Sequence, residues 1–174
     1  MHILKHSFLF FMTLGLALPL AGQDIAELER RNGFKDLNLG MSIDSVKGEK
    51  KFRKEFKEQD QYASKLYTVS HPSLETIGEI PISRVEIKTY NDLVYQIHVV
   101  TNKDPRLMKA LESIYGRADY DLKKETYFWK GNTLILKFRS FSRNQLELIY
   151  TSYAILKMMK DDKGKKVDEI ADDF

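Results

Sequence analysis

Two runs of alternating residues meet at a polar dipeptide near the middle of the chain, and they constrain the fold more than any other feature. In 82–90 (ISRVEIKTY), Val85 and Ile87 alternate with Arg84, Glu86 and Lys88. In 93–101 (LVYQIHVVT), Leu93, Tyr95, Ile97 and Val99 share a side. A period of two sends successive side chains to opposite faces of a strand, so each run offers one face to a core and one to water. Asn91-Asp92 between them has the chemistry of a tight antiparallel turn. A chain with this hairpin at its centre builds an antiparallel sheet and must cover one side of it.

The pattern recurs on both sides. Residues 62–70 (YASKLYTVS) read as another strand, and 125–130 (ETYFWK), 133–141 (TLILKFRSF) and 145–151 (QLELIYT) as three more, with turns at Gly131-Asn132 and 142–144. Between the groups lies a fully punctuated helix. Asp104 caps it, Pro105 opens it, Leu107, Met108, Leu111, Ile114 and Tyr115 fill one face, and Gly116 stops it. Upstream, 24–31 read as a short polar helix or loose lead-in, and 33–40 as a short strand or extended approach. Ser42 can cap a helix carrying Ile43 and Val46, with Asp44 in its first turn. Phe52 and Phe56, four apart among mixed charges, predict that 49–59 continues it with a narrow apolar stripe. Residues 72–81, with two prolines and Gly78, read as a loop or broken edge strand. Tyr153, Ile155, Leu156 and Met159 predict a closing helix before a charged tail, 157–174.

The order helix, three strands, helix, three strands implies an α+β fold. Its antiparallel sheet or sheets come from a tandem αβββ repeat with helices packed on one face. The domain spans 33–156, after a lead-in 23–32, with repeats at 33–101 and 104–151. Each helix can cover a short sheet that would be marginal alone.

The first residues carry an address. Lys5 with His2 and His6 precedes an apolar run, 7–21, too short for a comfortable membrane span and of the length of a signal-peptide core. The expected signal peptide is 1–22, cut after Ala21 or Gly22, with an uncleaved anchor as the alternative. After cleavage no stable membrane span is expected. The chain has no cysteine, which excludes disulfides, thiolate metal sites and cysteine acylation. The expected location is periplasmic or extracellular, not that of a cysteine-acylated lipoprotein. Without Lys5 there are 27 basic and 25 acidic residues, a balance that argues against a dedicated nucleic-acid binder.

The stretch GFKDLNLGMSIDSV, with Gly40, Met41 and Ser42 at a helix start and Val46 on its first turn, is followed by strands and a helix ending in Tyr115-Gly116. In this order, over residues 33–151, the chain resembles small bacterial envelope proteins of the SmpA/OmlA type and the β-lactamase-inhibitor-protein-like fold. The resemblance implies a non-enzymatic protein that binds protein partners through its sheet or loops. The chain departs from the lipoprotein members in having no anchoring cysteine, which argues against a fixed outer-membrane location.

The chemical inventory is thin. Past the signal segment only His71 and His98 remain, without metal-ligand spacing, and His98 is expected on the wet face of its strand. No nucleophile, phosphate-loop or calcium-loop motif is present, so no catalytic residue, metal site or cofactor is expected. The cations Lys47, Lys50, Lys51, Arg53, Lys54 and Lys57, interleaved with Glu49, Glu55 and Glu58, read as a solvated face. Tyr127 and Trp129 share one side of a strand and form a partner-binding patch if that side is exposed, with core packing as the competing reading. Ile80 and Ile82, at the end of the 72–81 loop, complete the candidate contact residues. The expected function is an exported non-catalytic interaction or inhibitor-like module for an envelope or secreted protein. The alternative is a small-ligand carrier or hydrolase of the envelope, which requires a cavity with converging acids or His98.

Overall fold

The structure is a computed structural model that describes residues 22–58 and 62–172. The expected signal segment, apart from Gly22, lies outside the described residues. The fold is α+β and antiparallel. Helix α1 (Ile25–Arg31) precedes a two-stranded hairpin, β1 (Gly33–Phe34) and β2 (Leu37–Asn38). The strands β3 (Glu49–Glu58), β4 (Tyr62–Ser70), β5 (Thr76–Ile77), β6 (Ile80–Tyr90) and β7 (Leu93–Asn102) follow. Helix α2 (Pro105–Tyr115) then leads to β8 (Asp119–Asp121), β9 (Thr126–Lys130), β10 (Leu134–Ser142), β11 (Gln145–Ser152) and helix α3 (Tyr153–Asp172).

All but the first two strands form one sheet in the order β3-β4-β6-β7-β11-β10-β9-β8, with β5 on the end of β6. Two meanders thus meet along β7 and β11, and α2 carries the chain to the far edge. The two units share a sheet, and each contributes four strands to that order rather than three. Residues 49–58 are strand where a helix was expected, and the short β8 adds to the second unit. What remains of the expected helix after Ser42 is one 3₁₀ turn, Ile43–Ser45, with the Ser42 side chain accepting the Asp44 N–H. The helix that opens the first unit is therefore α1, within the lead-in. Asp24 Oδ1 caps it by accepting the Glu27 N–H, and Asn32, in the left-handed region at φ 45°, ends it.

Adjacent rows of the ladder have opposite character. Tyr67, Ile87, Ile97, Tyr150, Leu136 and Trp129 lie across from one another in six neighbouring strands and belong to or pack on the main core. The next row, Thr68, Glu86, His98, Ile149, Lys137 and Phe128, faces the other way. Helices α1 and α2 cover the core face with Leu28, Leu107, Leu111 and Tyr115. Helix α3 departs from the one-face expectation. Its Ile155 and Met159 pack with Tyr90 and Tyr95 in a separate cluster at one end of the opposite face. The cause is a bulge in β7: Lys88 pairs with Gln96 and Thr89 with Val94, leaving Tyr95 as the extra residue, turned to that side. The helix also runs through most of the expected tail, to Asp172, and Tyr90 Oη donates to Asp162 Oδ2 at 3.0 Å along the way. No helix among the described residues is long and apolar enough to cross a membrane.

Strand β3 is an exposed edge. Its cations, Lys50, Lys51, Arg53, Lys54 and Lys57, and a bulge between Phe52 and Lys54 guard it against pairing with another chain.

Candidate functional site

Trp129 and Tyr127 do share a side, but the helix layer divides them. Trp129 is fully buried, its ring 6.1 Å from that of Tyr115 on α2 and its Nε1–H donating to Gly116 O at 2.8 Å. Ile80 is also buried, and Ile82 is half-buried against the main core. Trp129 and Ile80 are therefore core residues, not a contact surface. Tyr127 lies beyond the reach of α2 and is 39% exposed. Its ring lies 4.6 Å from that of Tyr120, tilted 43° to it; β8 places Tyr120 directly opposite, and it is 44% exposed. Beside the pair is a depression of about 340 Å³ lined by Phe138 and Leu146 and edged by Lys124, Glu125 and Arg139. Leu122 in the β8–β9 turn is exposed as well, so this corner gathers three of the eight large exposed hydrophobic residues among the described residues.

The opposite face carries a charged row. His98 Nε2 meets Glu147 Oε2 at 2.6 Å, and the other carboxylate oxygen of Glu147 accepts from Arg139 Nε. Glu86 lies 3.6 Å from His98 Nδ1, and the Phe141 ring stands edge-on to the imidazole at 6.0 Å. Register brings these groups together, since His98 pairs with Glu86 on one side while Glu147 pairs with Arg139 on the other. A buried carboxylate that keeps two donors is a satisfied network, and it needs no catalytic role to explain it. The described residues contain no group of three or more acidic, histidine or cysteine side chains that could hold a metal ion.

A third feature went unseen in the sequence. Between α1, the β1–β2 hairpin, α2 and β11 lies a cavity of about 460 Å³. Phe34, Leu107, Leu111, Ile114 and Leu148 line it, Tyr115 and Tyr150 bring two phenols, and Arg30, Arg31 and Lys35 supply cations. No acid is among its described lining residues. Gly33 allows the hairpin to close beneath it: at φ +153° an added Cβ would sit 2.1 Å from Leu37 O. His98 is on the other side of the sheet, so the cavity and the histidine do not form one site.

The signals for this cavity are spread over 30–35, Ile77, 107–115 and 148–150. The only local trace is the cation-rich RRNGFK stretch around Gly33.

No protein-family model, curated protein or solved structure matches this chain.

Proposed function

We propose that the chain is an exported, non-catalytic protein-binding module that engages an envelope or secreted protein through the aromatic corner of its second meander. The Tyr120–Tyr127 pair carries this reading: two rings in tilted contact, each more than a third exposed, stand beside a depression in which Phe138 and Leu146 lie among Lys124, Glu125, Arg139 and Ser140. Aromatic rings give large contact area at low entropic cost and are enriched among residues that dominate protein interfaces. The resemblance to the SmpA/OmlA-type and inhibitor-like proteins implies the same class of role. The signal-like start, 1–22, supports an exported address.

The test is mild crosslinking and affinity capture of the tagged, exported protein from its native envelope fraction, compared between the natural chain and the double variant Tyr120→Ala/Tyr127→Ala. Loss of two interface anchors should reduce recovery of the captured partner by at least about tenfold. Phe52→Ala, at the opposite edge of the sheet, should leave recovery unchanged. Equal recovery from the double variant and the natural chain would remove this corner from the interface.

A further inference from the structure

We propose that the cavity between α1, α2 and β11 is a binding site for a small amphiphilic anion, a carboxylate carrying an aliphatic chain. This site is independent of the corner assigned above to a protein partner. Three observations converge on that chemistry. The first is size: about 460 Å³ falls within the range of small-molecule sites and is far more than a packing defect. The second is the walls. Leu107, Leu111 and Ile114 of α2 face Phe34 and Leu148, an aliphatic lining suited to a hydrocarbon chain.

The third is the sign and readiness of the polar groups. All the described charged groups lining the cavity are cations. Glu27, outside the lining, accepts from Arg30 and from Arg31 Nε, and these bonds hold its carboxyl down at about 2, so it stays ionised and fixes both guanidiniums. Arg31 spends only Nε there. Its two terminal nitrogens have no hydrogen-bond partner among the described residues, and a planar guanidinium fits a carboxylate. The neighbouring phenols add a donor. The phenols of Tyr115 and Tyr150 both line the cavity, and burial pushes both above the usual phenol range, so both keep their protons. A protonated phenol carries one O–H that can be donated to a ligand oxygen. Lys35 is less available, since its ammonium already donates to Ser73 O and Thr76 O.

The carboxylate would therefore sit between Arg31 and the tyrosine pair, with the chain along the α2 wall. The experiment is calorimetric titration of the full mature chain with dodecanoate below its micelle concentration, with 1-dodecanol and acetate as comparison ligands. Dodecanoate should bind one to one, and both dodecanol and acetate at least about tenfold more weakly, since each lacks one half of the recognition. Arg31→Gln should weaken dodecanoate by about tenfold and leave dodecanol unchanged. Ala110→Phe, at an exposed lining position on α2, should abolish binding by filling the mouth while circular dichroism shows an intact fold. Absence of saturable dodecanoate binding, or equal affinity in natural and Arg31→Gln chains, would overturn the assignment.

Discussion

Trp129→Ala is expected to remove ~3–5 kcal/mol of folding stability, the range for truncating a buried large aromatic side chain. Tyr127→Ala, two residues away on the same strand face, should cost less than about 1 kcal/mol, the value of a cross-strand aromatic pair at the surface. The contrast follows from where α2 ends its cover. Trp129 meets Tyr115 from that helix and gives its N–H to the carbonyl of Gly116, the residue that stops it, so truncation opens a cavity and strips a partly buried carbonyl of its donor. Tyr127 meets only the exposed ring of Tyr120 in the aromatic layer. Urea denaturation checks both, with the shift in midpoint at constant slope reporting stability. A small effect at Trp129 would mean that α2 does not clamp the second meander through this ring. Trp129→Phe separates the two contributions: it keeps most of the apolar contact, so its loss reports mainly the orphaned Gly116 carbonyl, about 1–3 kcal/mol.

Elements whose signals are local were legible from the residues. Asp104, Pro105 and Gly116 bound α2 because caps act within one turn, and Asn91-Asp92 turns β6 into β7 with both residues at positive φ, as a tight hairpin turn demands. Strand β3 was misread because a spacing of four suits a helix stripe. The bulge at Arg53 undoes that stripe: Phe52 pairs with Tyr67 on the core side, while Phe56 pairs with Ser64 and lies against Lys88 on the other. Nothing local in EKKFRKEFKE distinguishes a guarded edge strand from a charged helix, since only the partner strand supplies the register. The short β8, three residues long, leaves too little alternation to read, and with it went Tyr120, the partner that makes Tyr127 a patch. Trp129 and Tyr127 were correctly placed on one face; which of them is covered depends on the length of a helix that crosses above, not on the strand. The cavity is harder still, because its walls come from four separate segments and its character depends on the acids that are missing from its described lining.

Tyr95→Phe should cost about 1.5 kcal/mol at neutral pH, the low end for a hydrogen bond to a charged group because the acceptor remains partly solvated. The acceptor is Glu58, at the end of the edge strand β3. Its Oε2 takes the Tyr95 hydroxyl at 2.6 Å and the Lys88 ammonium at 2.9 Å, which ties β3 to β7 and β6 across the intervening β4. Burial alone would raise the Glu58 carboxyl, but the bonds from Tyr95 and Lys88 outweigh it and hold the group below the usual glutamate range. A carboxyl whose folded value lies below its unfolded one binds protons more readily when the chain unfolds. Its contribution is therefore complete above the ordinary glutamate range and is lost as pH falls through the folded value. Phenylalanine removes one of the two donors, so the folded value moves back up and part of this acid-sensitive stability disappears. The stability gap between the natural chain and Tyr95→Phe should be full at pH 7 and narrow as pH drops below about 4.5, read from urea midpoints at several pH values. Loss of the buried hydroxyl's packing alone would produce a gap that does not change with pH. A narrowing gap therefore assigns the effect to the ionised bond that holds the guarded edge of the sheet in place.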